Sequence, residues 1–495
     1  MGENIKNKIG KATAWSSITE IMAKIISPIV NIILARLLLP EAFGIVATIT
    51  MVISFAEVFT DAGFQKYIIQ HEFENEDDLD KSTNVAFWTN LSVSFFACVI
   101  IFLFRHKIAF VVGSPGLGNS ISLASLLIIL YAFSSIQMAR YKRDFDFKTL
   151  FFVRIGTSLI PLLVTIPLAI ILKNYWALLI GNFASQLFNA IFLTLKSKWK
   201  PKIYYNFALF KKMFSFSAWT LLESIFIWLT ANIDIFIVGS YFNEYYLGLY
   251  KTSMTTISSY MGLITATIIP ILFSSLSRYQ NDEKQFKSTY FSFLRLTAIF
   301  VLPMGIGIFL FSDVVTMILL GDQWMEASGF IGLWGLTSAL NIIFAHFASE
   351  VYRSKGKPVI SLVTQVIQIA FLVPVLLISI NNGFKVVYWA RSLVRLEAIL
   401  NAFLFLRLLH KFKITDILKN TVPAIVASII MATVGYGLKV ISESFVWQFV
   451  AIGMCIAVYF LALFVLFPKI RKEVFQSPYV KKIIKKFSKR PKAVK

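Results

Sequence analysis

Hydrophobic and polar positions in this chain alternate over tens of residues rather than within a helical turn. Long apolar runs are separated by short polar corners, and residues 15–70 set the pattern: WSSITEIMAKIISPIVNIILARLLLPEAFGIVATITMVISFAEVFTDAGFQKYIIQ. Two apolar runs meet there at the corner Leu39-Pro40-Glu41-Ala42-Phe43-Gly44. Pro40 cannot continue a helix, and Gly44 relaxes the backbone where the next one begins. A hydrocarbon core about 30 Å thick is crossed by roughly 20 apolar residues of helix, and each run supplies that length. Repeated along the chain, the pattern predicts 14 spans. The first six lie at about 13–37, 43–65, 84–104, 118–139, 150–172 and 175–195. The next six lie at about 213–241, 246–275, 289–312, 327–350, 359–380 and 386–406, and a final pair at 421–440 and 445–467. Apolar residues run round most of these segments, as in helices that face lipid and neighbours together.

A shift of 204 residues without a gap lays the first hairpin on a later one. Ala14-Trp15 falls on Ala218-Trp219, Ala35 on Gly239, and Phe43-Gly44-Ile45 on Leu247-Gly248-Leu249. In both copies a Trp starts a long apolar run and a Gly 29 residues later starts the next. Several matches in one register favour a parallel internal duplication, with two halves related by an axis along the membrane normal. The expected fold is an all-α polytopic membrane protein of two six-helix bundles in parallel pseudo-repeat, plus two C-terminal helices. Its divisions are residues 1–211 (first bundle and linker), 212–407 (second bundle) and 408–495 (two added helices and a basic cytoplasmic tail).

Composition narrows the class. Of 495 residues, 57% are hydrophobic and 15% charged, with a mean hydropathy of +0.73, more apolar material than a soluble core of this size needs. The N-terminal MGENIKNKIGK lacks a short apolar core followed by a small-residue cleavage site, so no removable signal peptide is expected. Cys98 and Cys455 both lie inside apolar runs and read as packing residues, with no disulfide framework or metal spacing.

The net charge of +22 invites a nucleic-acid reading, which the placement of the charges defeats. Lys and Arg gather at alternate ends of the spans and in the tail. With the N-terminus inside, only Arg105, Lys107, Lys173, Lys385 and Lys439 fall in loops on the opposite side. That asymmetry follows the positive-inside rule and places both termini in the cytoplasm. The tail segment Lys481-Lys482-Ile483-Ile484-Lys485-Lys486-Phe487 has helical spacing suited to the inner leaflet. Residues 71–78 form an acidic loop that reads as solvated, and 196–202 a basic linker with an interfacial Trp.

The residues of the first corner resemble a known family. Ala35-Arg36-Leu37-Leu38-Leu39-Pro40-Glu41-Ala42-Phe43-Gly44 is similar to the corner found in bacterial polysaccharide flippases of the Wzx type. Asp61-Ala62-Gly63-Phe64 and Ile68-Ile69-Gln70 continue the likeness. So do Asp234 with Ile237-Val238-Gly239, Leu247-Gly248-Leu249-Tyr250, the run from Ile269 to Arg278, and Gly321-Asp322-Gln323-Trp324. The resemblance covers most of residues 10–410 and is nearest the colanic-acid and teichuronic-acid exporter branch.

It implies the multidrug/oligosaccharidyl-lipid/polysaccharide exporter fold, which rocks between inward-open and outward-open states in the bacterial cytoplasmic membrane. The implied substrate is an undecaprenyl-diphosphate-linked oligosaccharide repeat unit, turned from the inner to the outer leaflet for surface polysaccharide export. Membrane lipids are further partners, a polysaccharide polymerase and chain-length machinery are candidate ones, and no cofactor is implied. The final pair of spans matches the added pair that forms a lipid-tail groove in related flippases.

Charges inside the spans are the candidate site residues, because an isolated charge at mid-membrane is costly unless paired or wet. Lys24 and Glu57 stand at equal depth on either side of Pro40, and Asp234 and Lys251 likewise about the next corner. Each couple reads either as a fixed ion pair or as part of a cavity wall where a diphosphate competes for the lysine. Arg391 and Arg395 lie one helical turn apart, a spacing that repels unless an anion sits between them, and they read either as phosphate ligands, which guanidinium geometry suits, or as partners of acids on another span. Arg36, Arg154 and Arg295 are further cationic candidates, with snorkelling to the surface competing at Arg36 and Arg295. His346 and Glu350, and Glu57 and Asp61, are each four residues apart. They can relay or gate protons, or simply bond within a helix, which leaves proton or sodium coupling open.

No metalloprotease signature, phosphate-binding Gly loop or Cys/His metal spacing occurs in the sequence, and no enzyme activity is expected. Gly305-Ile306-Gly307 lies inside a span and reads as close helix packing. The rival readings are a cation-coupled multidrug antiporter of the same fold, a membrane glycosyltransferase or polymerase, and a channel or scaffold.

Overall fold

The computed structural model describes residues 2–61, 63–357, 359–468 and 470–471; the basic tail segment 481–487 lies outside them. In chain order the helices are α1 (Gly2–Leu37), α2 (Pro40–Asp61), α3 (Phe64–Gln70), α4 (Glu76–Val111), α5 (Gly118–Ala124), α6 (Leu126–Arg143) and α7 (Phe147–Ile160). They continue with α8 (Ile166–Leu172), α9 (Trp176–Lys196), α10 (Phe207–Tyr241), α11 (Glu244–Arg278), α12 (Glu283–Leu310) and α13 (Ser312–Leu319). The last are α14 (Ser328–Asn341), α15 (Phe347–Ser354), α16 (Val359–Ser379), α17 (Phe384–His410), α18 (Ile414–Ile441) and α19 (Phe445–Leu466).

The chain is an all-α polytopic membrane protein. Among the described residues, thirteen helices are long and apolar enough to cross a bilayer. The fourteenth expected span, 386–406, is the continuous 27-residue helix α17. Lys385, Arg391, Arg395 and Glu397 make it too charged to count by composition.

Polar side chains mark where several helices begin. Asn75, Asp146, Asn206 and Asp282 each accept from backbone N–H groups of the first turn of α4, α7, α10 and α12, satisfying donors that a helix start leaves open. The acidic segment is therefore more than solvated surface. Asn75 caps α4, Glu76, Asp77 and Asp78 fill its first turn where the helix dipole favours negative charge, and Asp80 holds Arg140 at 2.7 Å.

Two compact units are present. Among the described residues, one comprises those within 2–267, 316–330 and 356–398, the other those within 268–315, 331–355 and 399–471.

In the first unit, the positions related by the 204-residue shift touch reciprocally. A Cβ on Gly44 would overlap the carbonyl oxygen of Glu244, and one on Gly248 would overlap the carbonyl oxygen of Pro40. Residue 40 maps onto 244, and 44 onto 248, so each contact is the image of the other, as a local two-fold relation requires. Both α2 and α11 start at this meeting point. Only glycine lets the two backbones come this close. A second reciprocal feature lies nearby. Gly113 (φ 80°) packs its backbone on Gly239, at the end of α10. The turn at Gly321 (φ 102°) brings Trp324 Nε1 within 2.8 Å of the Ala35 carbonyl and Gln323 Nε2 within 2.9 Å of that of Leu38, at the end of α1.

In the second unit, α12 packs on α18 and α18 on α19. The Tyr459 hydroxyl donates to the Ile299 carbonyl at 2.7 Å, and Cys455 is buried against the position of Gly435. Both cysteines are free. Gly305 is closely packed, since a Cβ there would meet Ala339 and the Gly335 carbonyl, whereas Gly307 has open space beside it. Tight packing accounts for the first of the two glycines only.

Candidate functional site

The first unit holds a polar hollow of about 460 Å³. Helix α1 lines it with Glu20, Ala23, Lys24, Ser27 and Pro28, α7 with Arg154, and α11 with Lys251, Met254, Thr255, Ser258, Ser259 and Gly262. Spacings of three and four residues on α1 and α11 place each set on one helical face. Polar positions therefore recur at helical period inside otherwise apolar spans. Lys24 donates to the Gly262 carbonyl at 3.3 Å, which leaves its charge uncancelled. Among the described residues no carboxylate lies within 4.0 Å of the nitrogens of Lys24, Arg154 or Lys251. Three cations against the single acid Glu20 give the hollow a net positive lining.

A second chamber, about 570 Å³, adjoins the first, because Ser27 and Arg154 line both. Around it stand Asn31 of α1, Thr50, Ser54 and Glu57 of α2, Thr157 and Ser158 of α7, and Asn182, Ser185, Gln186 and Asn189 of α9. Residues 182, 185, 186 and 189 form a polar stripe on one face of a helix otherwise rich in Leu, Ile and Phe. Sequence reasoning that weighed only full charges passed over this stripe and the α11 hydroxyls, although their helical spacing was readable.

The expected lysine–carboxylate pairs do not form. Equal depth in a hairpin fixes height but not the rotation of each helix about its axis. Lys24 turns towards α11 and Glu57 towards the α9 stripe, so the two line different cavities. Asp234 pairs with Arg391 instead of Lys251, Oδ2 to Nε at 2.7 Å, and also accepts from the Tyr250 hydroxyl at 3.1 Å. Lys251 follows Tyr250 directly, and a step of one residue turns a helix by about 100°. With Tyr250 facing Asp234, Lys251 is thereby aimed into the hollow. Asp234 and Arg391 are 0% and 5% exposed, a dry pair rather than a cavity wall. Arg395 lies one turn further on, half-buried on the same helix.

The remaining candidates are scattered. Arg36 is exposed and donates to the Ile318 and Met317 carbonyls at 2.9 and 3.3 Å, capping the end of α13 as a cation does at a helix C-terminus. Glu350 is held by Arg353 at 3.1 Å. His346 is exposed, at the end of a π-helical turn over Ile342–His346, and Arg295 is half-buried on α12. The Asp61 side chain lies outside the described residues. Among the described residues no group of three His, Cys, Asp or Glu side chains could hold a metal ion.

Comparison with known proteins bears on both fold and family. A membrane protein of unassigned role from the cps region of Klebsiella pneumoniae is 23% identical over 77% of this chain and 78% of its own. The succinoglycan biosynthesis transport protein ExoT of Rhizobium meliloti is 23% identical, over 62% of each chain. Among solved structures, the lipid II flippase MurJ in an inward closed conformation superposes with a TM-score of 0.74 at 15% identity, over 92% of this chain and 99% of that one. The fold is thus that of MurJ. The family described as polysaccharide biosynthesis protein matches residues 33–329, and this chain belongs to it.

Proposed function

We propose that the protein is a flippase, which carries undecaprenyl-diphosphate-linked oligosaccharide repeat units from the inner to the outer leaflet of the bacterial cytoplasmic membrane. The observation that carries this reading is the trio Lys24, Arg154 and Lys251, unneutralised around one hollow inside membrane helices. A diphosphate cannot cross about 30 Å of hydrocarbon unaided, and cations held out of reach of carboxylates give it a place to reside. The names of relatives support the same reading, since one is a succinoglycan transport protein and the fold is shared with a lipid II flippase. This makes the protein a transporter and not an enzyme.

Alternating access is the proposed cycle, with both termini cytoplasmic. Residues 1–211 and 212–407 would act as the two bundles, and 408–495 as the added helices with their tail. Polysaccharide polymerase and chain-length machinery would receive the product outside. Among the expected cavity cations, Lys24, Arg154 and Lys251 are proposed to contact the diphosphate, and Arg391 to serve as a strut through Asp234.

The test is reconstitution of the full chain in vesicles with a fluorescent undecaprenyl-diphosphate-linked sugar, followed by reduction of the probe in the outer leaflet. Lys24→Gln and Lys251→Gln should each slow flipping at least tenfold with unchanged protein insertion. Wild-type rates in both variants would remove the proposal. Gene deletion should, in parallel, leave lipid-linked repeat units on the cytosolic leaflet, whereas accumulation of the unmodified acceptor lipid would indicate an enzyme.

A further inference from the structure

The chamber beside the cationic hollow has a chemistry of its own. Four membrane helices turn polar faces into it, and several of those groups have no partner among the described residues. Asn189 is only 8% exposed and its Oδ1 atom is buried without a donor. Its Nδ2 donates to Gln186 Oε1 at 3.4 Å, whereas Asn31, Asn182 and the Glu57 carboxylate make no side-chain hydrogen bond among the described residues. At membrane depth a buried polar atom without a partner is costly; Asn189 Oδ1 is one, and with the half-buried Asn31 and Glu57 and the exposed Asn182 around it the chamber suits a polar occupant.

Charge excludes a second phosphate as that occupant, because Glu57 opposes Arg154 here whereas three cations line the neighbouring hollow. A side-chain amide presents a donor and an acceptor side by side, and a carboxylate can accept from two neighbouring hydroxyls. Those are the groups that match a polyhydroxylated ring. The volume lies within the roughly 300–1,000 Å³ usual for small-ligand pockets.

Resting on the flippase reading above, we propose that Asn31, Glu57, Asn182, Gln186 and Asn189 form a sugar subsite for the lipid-linked substrate. The ring bonded to the diphosphate enters this chamber while the diphosphate stays with Lys24, Arg154 and Lys251. Arg154 and Ser27, shared by both cavities, mark the junction. Glu57 makes the subsite selective for neutral sugars and disfavours a uronate at that position.

Binding measurements on the full chain in nanodiscs test this, with three probes: undecaprenyl diphosphate, and the same lipid carrying glucose or glucuronate. Wild type should bind the glucose-bearing lipid about tenfold more tightly than the bare one. Asn182→Leu combined with Asn189→Leu should abolish that preference and leave affinity for the bare lipid unchanged. Asn182→Ser, a milder change in case the double variant does not insert, should reduce the preference severalfold. Glu57→Gln should raise affinity for the glucuronate-bearing lipid relative to the glucose-bearing one. Lys24→Gln should weaken all three probes alike, so if it weakens none while the Asn variants erase the preference, the cation reading fails and the sugar subsite stands. No sugar preference in wild type, an undiminished preference in the Asn variants, or equal weakening of bare and sugar-bearing lipid by them overturns the subsite.

Discussion

Arg391 and Lys24 are both intramembrane cations, yet the structure gives their removal opposite consequences. Arg391 meets Asp234 at 2.7 Å in a site where neither side chain is more than 6% exposed. Arg391→Gln strands the Asp234 carboxylate, and Asp234→Asn strands the guanidinium. Removing one partner of such a pair costs about 3–5 kcal/mol, roughly a hundred- to several-thousand-fold in the folding equilibrium at 1.4 kcal/mol per tenfold. The double variant Asp234→Asn/Arg391→Gln leaves two neutral amides at hydrogen-bonding distance, and Tyr250 keeps an acceptor. Its cost should fall below that of either single variant, with a coupling of at least about 2 kcal/mol.

Unfolding in mixed micelles with rising sodium dodecyl sulfate, followed by tryptophan fluorescence, measures all four corners of the cycle. Transport should follow stability, lost in the single variants and largely restored in the double. Costs that add to within about 0.5 kcal/mol, or a stable double variant with no transport, would refute the strut and return Arg391 to the substrate path.

Three further outcomes follow from the geometry. Lys24→Gln, by contrast, should reduce flipping at least tenfold while unfolding at the wild-type detergent fraction, and Glu57→Gln should not rescue it, because the two side chains line different cavities; rescue in the flipping assay would show that they are a pair after all. Gly44→Val and Gly248→Val should each cost about 1–3 kcal/mol through overpacking, and by similar amounts because the contacts mirror one another; the same unfolding assay checks this, and wild-type stability in either would contradict the backbone approach. Tyr459→Phe removes a buried hydrogen bond to α12 and should cost about 1 kcal/mol, read in the same way.

Much of the architecture was legible without coordinates. Apolar runs of membrane length, the polar corners between them and the 204-residue register all depend on local composition and order, and the structure places helices over each expected span. Helix α17 fails the apolar criterion for a reason also written in the chain, namely Arg391, Arg395 and Glu397. The register even identified residues 40, 44, 244 and 248 as equivalent, although not that they touch.

Side-chain partners were not legible. Lys24 and Glu57 stand at one depth, but depth is a one-dimensional coordinate, and partner choice depends on how each helix is rotated about its axis. Packing sets that rotation. It turned Tyr250 to Asp234 and so sent Lys251 into the hollow, brought Arg391 across from α17 to complete the pair, and aligned four polar stripes on one chamber. The chain order prescribed which residues are polar within each span; the angular arrangement of helices, settled only when they pack, decided which of them are bonded to one another and which remain open to a ligand.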